Sequence, residues 1–474
     1  MGSLNASFAV AASSLDALQY ALNVSQNIID NASTPGYATQ TATLDAAAFD
    51  PDVGLAGGVL QGPLADSRDL LAESAVWQQS GAQGAATAQS EALTDVQNSL
   101  PISTGSGIPA ALTTFFSAVS AWSASPGDGS TTQAVMNAAS SLAQSFNTAA
   151  AGVASASQSV TQSIGSSVGQ INTLTGQLAN LNQQVLNGGQ HDAGLSAQIY
   201  SNLETLSGLV NIQVLPQSDG TMQVTLSGGE PLVLENQQFA LSQGSVAAPA
   251  SPPVDPTAPP LVAIYGADGT DVTSQIASGT LSGQLQVANS VIPGLIGDAS
   301  QPGALNQLAT SIATTVNGIV SAGFVSAGVP AASGLFVTDA AHPDSAAATF
   351  AVDPNMTAAG LPPIDQNNVP NGVPLALAAL ASSPEIDNSS YTAFYGDTAA
   401  QVGNQLDQAQ SNQTLAAQSL SQAQSMRQTS EGVDLNAEAA NVMQLQAGYQ
   451  ASAKLVDTLE TMVQSLIDMI PATA

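Results

Sequence analysis

Cysteine is absent from all 474 residues, which removes disulfides, thiol nucleophiles and Cys-type metal sites together. Cations are almost as scarce. Arg68, Arg427 and Lys454 are the only basic residues, none falls between Arg68 and Arg427, and the net charge is −31. Neutralising phosphates takes Lys and Arg, so nucleic acid is excluded as a partner, and an anionic membrane surface is disfavoured for the same reason. Charged residues make up 8 % of the chain, against about a quarter in an average protein. Salt bridges are therefore expected to contribute little, leaving packing, helix pairing and hydrogen bonds to hold the fold. No uninterrupted apolar run of about 18 residues occurs, so no membrane span is expected. A basic n-region followed by an apolar h-region is also missing from the N-terminus, so a cleaved signal peptide is not expected.

Hydrophobic residues nevertheless reach 44 %, although aromatics are only 4 %. Cores can form, and the length suggests two to four domains. The clearest patterns lie at the two ends. Leu4, Phe8, Ala11, Leu15, Leu18, Leu22, Ser25 and Ile29 recur at alternating steps of four and three. Val442, Tyr449, Val456, Val463 and Ile470 repeat every seven residues, flanked by Leu445, Leu455, Leu459, Met462, Leu466 and Met469. A repeat near 3.5 residues makes a helix with one apolar stripe that must lie against another helix. Paired helices at opposite termini predict a rod in which the chain leaves and returns, with everything between carried as an insertion. Their broad apolar faces would seek neighbouring subunits.

Between the ends the period changes. The first helix should stop at Ser33-Thr34-Pro35-Gly36-Tyr37, because Pro disfavours helix in the residue before it and Gly permits a turn. An extended stretch follows to about residue 64. Helices are expected over 65–100, 109–123, 131–187 and 194–209, where apolar residues recur at helical spacing. Val210, Ile212 and Val214, then Met222, Val224 and Leu226, alternate around Asp219-Gly220, a hairpin signal. A Pro-rich loop covers 248–260, Leu261–Tyr265 is a strand, and helix returns over 278–321. Residues 324–390 are Pro- and Gly-rich with short β-like pieces. From Thr392 onward the chain is helical, broken near Glu431-Gly432.

No residues mark a reaction centre. His191-Asp192 sits in a polar loop beside Gly188-Gly189 with no nucleophile or ligand partner at a useful spacing, and His342-Pro343-Asp344 is no better. Asp268-Gly269-Thr270-Asp271 contains part of a calcium loop but lacks the remaining oxygen ligands, so a β-turn is the expectation. Gly-x-Ser-x-Gly, phosphate-loop and dinucleotide-binding patterns do not occur. The chain is expected to be no enzyme and to take no cofactor and no metal.

Two stretches resemble a known family. Asn27-x-Ile29-x-Asn31 with Thr34-Pro35-Gly36-Tyr37 and Gln40 is similar to the N-terminal signature of the axial proteins of the bacterial flagellum, the rod, hook and hook-associated proteins. Gly432-Val433-Asp434-Leu435-Asn436-x-Glu438-Ala439-Ala440-Asn441, then Gln446 and Tyr449-Gln450-Ala451-Ser452-Ala453-Lys454, resembles their C-terminal signature. The middle favours the hook-associated members at the hook–filament junction. Leu112–Ala118, Gln133-Ala134-Val135, Leu142–Asn147, Val168–Asn172 and Leu178–Val185 are similar to their inner helices. The sequence departs from the family at Ile28, where Asn is common, and at Thr39, where Arg is common. At Ala197-Gln198-Ile199-Tyr200 the family usually carries Asp-Gln-Arg-Asp, so no local ion pair is expected there.

The resemblance implies a mainly α fold with inserted β. Terminal helices (1–45 and 430–474) would pair as a coiled-coil rod. The helical inner domain would be 46–210, 278–323 and 391–429, and the small β-rich outer part 211–277 and 324–390. It further implies a structural adaptor that leaves the cell through the flagellar export channel and resides, extracellular, in the flagellum. There it would form a ring with copies of itself through Leu4, Phe8, Leu15, Leu18, Leu22, Ile29, Val442, Leu445, Tyr449, Leu455, Val456, Leu459, Met462, Val463 and Leu466. Implied partners are the hook protein, a second hook-associated protein on the filament side, and an export chaperone at the C-terminus. The terminal helices would order only on assembly. The alternatives are a hook or flagellin-like axial protein, or an acidic secreted adhesin that would not need the paired ends.

Overall fold

A computed structural model describes residues 2–50, 55–101, 105–189, 192–246, 260–339 and 341–468. His191 and most of the Pro-rich loop lie outside them, as do Met469 and Ile470, and the side chains of Leu4 and Leu466 are not described.

The chain opens with helix α1 (Gly2–Asp30), then a hairpin of β1 (Gln40–Ala46) and β4 (Val59–Asp66), extended by the short pair β2 (Phe49–Asp50) and β3 (Leu55–Ala56). The body follows: α2 (Leu70–Asn98), α3 (Gly107–Ala124), the 56-residue α4 (Gly129–Gln184) and α5 (Ala193–Leu209). Aspartates start three of these helices. Asp69 accepts from the N–H groups of Leu71 and Ala72, Asp128 from Ser130, and Asp192 from Gly194 and Leu195. Each satisfies amides that the first helical turn leaves unpaired. Part of the acidity is thus spent on helix starts.

The period-two segments form the antiparallel sheet β5 (Ile212–Pro216), β6 (Met222–Leu226), β7 (Pro231–Leu234) and β8 (Gln237–Gln238), and the pair β9 (Ser242–Ser245) and β10 (Val262–Tyr265). Gly220, at φ 85°, turns β5 into β6 while Asp219 accepts from the Thr221 N–H at 2.9 Å. The helix expected over 278–321 is instead two runs: α6 (Thr280–Gln286) passes through a π-helical turn (Val287–Val291) straight into α7 (Ile292–Ile296), and α8 (Ala304–Ser321) follows a break. Pro293, which has no N–H to give, sits just after the π turn, and Gly297 and the Pro302-Gly303 pair end the ladder before α8. Beyond it come β11 (Phe324–Ser326), β12 (Val329–Pro330), β13 (Phe336–Val337), α9 (Ala346–Thr349), β14 (Ala351–Val352) and α10 (Gly372–Ala379). The chain closes with α11 (Tyr391–Glu431) and α12 (Leu435–Asp468).

Four of the phenylalanines meet in one place. Phe115, Phe336, Phe350 and Phe146 form a chain of rings with centroids 5.7, 4.7 and 5.0 Å apart, all buried. This chain binds 336–350 to α3 and α4, so the segment 324–390 shares its core with the helices.

Asparagine does what charge does elsewhere. Asn172 and Asn182 on α4, Asn289 between α6 and α7, and Asn317 on α8 each take both backbone groups of one facing residue: Leu241, Met222, Val262 and Phe336 respectively. In every case the carboxamide oxygen accepts the N–H and the carboxamide nitrogen donates to the C=O, at 2.7–3.0 Å. A carboxamide has the donor–acceptor pattern of a peptide group. It extends a strand's hydrogen bonding onto the side of a helix.

Candidate assembly surface and its joint to the body

Helices α1 and α12 pack along one another, closing the chain's two ends into a pair. Leu22 is buried in α1, and Phe8, Leu15, Leu18 and Ile29 are half-buried. On α12 the half-buried positions are Val442, Leu445, Val456, Leu459 and Val463, with Gly448 against Leu18. Near the α12 start, Asn441 donates to the buried Ser25 hydroxyl at 3.1 Å. Tyr449, Leu455 and Met462 are exposed, together with Leu435, Met443 and Ile467. The seam therefore takes Val442, Val456 and Val463 of the seven-residue repeat together with Leu445 and Leu459, and leaves Tyr449 at its edge.

A second buried face on α1 escapes a reading based on one stripe. Ala17, Ala21 and Ile28 are buried. They continue, at helical spacing, the side that meets the hairpin, where Gly58 approaches Val10 and Ser13 and Gln61 donates to the Asp16 carbonyl at 3.2 Å. Helix α1 is thus held between α12 and β1/β4.

This terminal layer meets the body at one charged joint. Arg68, just after β4, lies with its guanidinium carbon 3.7 Å over the Tyr200 ring of α5. It donates to Glu73 of α2 at 2.8 Å and to the Gly36 carbonyl at 2.8 Å, with Glu431 at 3.7 Å. Arg427 of α11 reaches the other oxygen of Glu73 at 3.1 Å and Glu204 of α5 at 2.8 Å. Glu431 ends α11: its carboxylate accepts the Asp69 N–H at 2.9 Å, and its carbonyl accepts from both the amide and the hydroxyl of Thr39. Gly36 is pressed onto α5, where a Cβ would collide with the Ala197 carbonyl. The Thr-Pro-Gly-Tyr turn seats there for that reason.

One expectation is corrected. Ion pairing is not negligible, because two of the three cations meet three glutamates here, with Glu73 and Glu431 almost fully buried. At 197–200 no described residue forms an ion pair; what meets this stretch is the Arg68 guanidinium, stacked on the Tyr200 ring. The cation lies over an aromatic face with both terminal nitrogens engaged, while its Nε is buried without an acceptor.

Burial pushes the Glu431 carboxyl up to about 7; the Asp69 N–H pulls the other way and the Glu73 charge adds to the rise. Burial likewise pushes the Tyr200 phenol up to about 12 against the pull of Arg68. Burial alone would lower Arg427, but hydrogen bonding and charge from Glu204 and Glu73 outweigh it and hold the guanidinium above its ordinary value.

The other residues singled out in the sequence do not converge. His342 pairs with Asp339 at 2.8 Å in a partly exposed turn, where the imidazole hydrogen bond holds the Asp339 carboxyl below its usual range. Asp268 accepts the Thr270 N–H around Gly269 at φ 84°, a turn. Among the described residues no three His, Asp or Glu side chains gather to hold a metal ion, and no helix is long and apolar enough to cross a membrane.

A long helical body whose two chain ends return to pair beside it is the layout that the resemblance to flagellar axial proteins implies. Residues 93–336, just over half of the chain, match the family model of the flagellar hook-associated protein FlgK helical domain. The chain belongs to that family. Residues 427–469 match a second model, the flagellar basal body rod FlgEFG protein C-terminal. Flagellar hook-associated protein 1 of Salmonella typhimurium is 27 % identical over 256 residues, 52 % of this chain and 45 % of the relative. The namesake from Bacillus subtilis is 24 % identical over 233 residues, 45 % of this chain and 46 % of the relative. The matched region thus spans about half the length of these relatives. The solved flagellar hook junction protein FlgK from Burkholderia pseudomallei has the same fold, with a TM-score of 0.63 at 16 % identity over 74 % of this chain and 99 % of that one.

Proposed function

We propose that the chain is a non-enzymatic structural adaptor joining flagellar hook to filament, and that it assembles as a ring through α1 and α12. The observation that carries this reading is the exposed apolar set on α12. Leu435, Met443, Leu455, Met462 and Ile467 are each at least half exposed on a helix whose other side is already paired with α1. Apolar side chains left outside an intrachain pair are the usual mark of a contact made between chains. In this reading the copies meet through the terminal layer (1–45 and 430–474), the helices of the body stand outside it, and the β segments 211–277 and 324–390 are carried on the body. Contacts to the hook protein on one side and a second hook-associated protein on the other follow from the junction position. An export chaperone would cover the α12 face before assembly.

Immunogold labelling of isolated flagella tests the assignment. Label confined to a band between hook and filament supports it. Label along the hook or along the whole filament assigns the chain to another axial protein, and label on the cell surface in strains lacking flagella assigns it to an adhesin.

A further inference from the structure

The joint brings together groups that do not balance. Two guanidinium groups, Arg68 and Arg427, face three carboxylates, Glu73, Glu204 and Glu431, in a site where Glu73, Glu431 and Arg68 are almost fully buried. With all three carboxylates ionised the cluster holds one negative charge in excess. An uncompensated buried charge is costly and is relieved by taking up a proton or by opening to water. The surplus has one evident seat. Glu73 is gripped through both oxygens, and Glu204 is partly exposed and held by Arg427 and the Gln424 carboxamide. Glu431 touches Arg68 only at 3.7 Å, accepts one backbone N–H, and lies side by side with the Glu73 carboxyl, a neighbour it can hydrogen-bond only when the pair holds a proton. It also carries two ties to the terminal layer: its carbonyl holds Thr39, and α12 starts four positions on.

We propose that this joint is a proton-operated latch. Protonation of Glu431 balances the cluster and locks the α1–hairpin–α12 layer onto the body, and its ionisation loosens that layer as a unit. This concerns the joint within one chain and does not depend on the junction reading.

The charged and titratable groups around Glu431 are few. The hairpin end supplies Arg68, Asp66 and Asp69; α2 supplies Glu73; α5 supplies Tyr200 and Glu204. Arg427 lies one turn back on α11, Asp434 and Glu438 lie at the start of α12, and Tyr37 lies in the turn after α1. No histidine is among them. The Glu431 carboxyl, beside that of Glu73, stands at about 7, so the cluster takes up its proton in the neutral range. The folded value of that carboxyl is raised above that of the free side chain, so the latch is strongest below the ordinary carboxylate range. It weakens as pH rises through the interval up to about 7 and is fully loosened above it.

Amide exchange reads the latch directly, because the Thr39 and Asp69 N–H groups both bond to Glu431. After correction for intrinsic exchange, protection of these two amides should fall on the order of tenfold or more between pH 5 and pH 8. Protection at Phe115 and Phe146 in the core should stay constant. The absence of cysteine permits a second readout by paired spin labels on Gln177→Cys and Gln444→Cys, both exposed. Their distance distribution should be narrow at pH 5 and broader or shifted at pH 8. Glu431→Gln should abolish both pH responses. Should that variant misfold, Glu73→Gln should move the midpoint to lower pH, because the charge that helps raise Glu431 is gone. Unchanged protection and distances across pH 5–8 in the otherwise wild-type chain would overturn the latch. So would a response that survives both substitutions at its original midpoint.

Discussion

Arg68 and Arg427 hold the same side chain from opposite sides: one lies 2.8 Å from Oε1 of Glu73 and the other 3.1 Å from its Oε2. Glu73 thereby links the end of the hairpin to the end of α11 through the first turn of α2. Truncating it removes the acceptor that both guanidinium groups share and leaves their N–H groups unpaired in a largely buried site. Breaking a buried pair by removing one partner costs about 3–5 kcal/mol. Glu73→Ala should lower stability by about 3 kcal/mol in urea unfolding, with less loss for Glu73→Gln, which keeps an acceptor. A change below about 1 kcal/mol for Glu73→Ala would show that the joint is not a principal tie.

Trypsin cuts after Lys and Arg, and the chain offers it three sites. Lys454 is exposed on α12, whereas the Arg68 side chain is 5 % exposed and that of Arg427 21 %. Cleavage at a buried site requires local opening. The expected order is Lys454 first, with Arg68 and Arg427 slower by on the order of tenfold or more. Mass spectrometry of a digestion time course gives the order, and early cleavage at Arg68 would mean that the terminal layer is already detached in the monomer.

The asparagine clamps give a third test. Asn182 is fully buried; its nitrogen donates to the Met222 and Glu235 carbonyls and its oxygen accepts the Met222 N–H. Asn182→Asp turns the donor into an acceptor facing two carbonyls. Each buried group left unsatisfied costs about 1–3 kcal/mol, so the variant should lose about 2–4 kcal/mol. Asn137→Asp, exposed on the same helix, should stay within about 0.5 kcal/mol of the parent. Equal stability of the two variants in thermal or urea unfolding would remove the clamp from the account of the fold.

The helices were legible because burial on one face writes a period into the sequence, as at Ile164, Val168, Ile171 and Leu178 of α4. The break at Gly297 is not legible because the apolar spacing runs across it. The clamps left no trace, since a carboxamide bonded to a facing backbone looks like any surface asparagine until the strand is in place. The joint was hidden by distance: Glu73 and Arg427 are 354 positions apart. The signal that existed was the scarcity itself. In a chain with three cations, each one is worth asking which buried carboxylate it serves. The second face of α1 was missed because Ala17 and Ala21 are small, and alanines read as helix formers more readily than as a contact with a hairpin.

The last test concerns the pair of terminal helices. Leu459 is half-buried on the α12 side that faces α1, and Leu18 is half-buried on the α1 side, against Gly448. Leu459→Asp places a carboxylate in that seam with Lys454 the only cation on its helix. Burying an unpaired carboxylate costs several kcal/mol or forces the contact open. The body does not draw its core from these helices, since its buried cluster runs from Trp77 to Ala409. Far-UV circular dichroism should therefore show a folded body, and exchange of the α1 and α12 amides should rise. Cells carrying the variant should build hooks, release filament protein into the medium and lose motility, and Leu18→Asp should do the same. Leu415→Asp, at a site 60 % exposed on α11, supplies the matched charge without touching the seam and should leave motility intact. If Leu459→Asp is exported normally and the cells still swim on full-length filaments, the pairing of the ends is not what holds the assembly together.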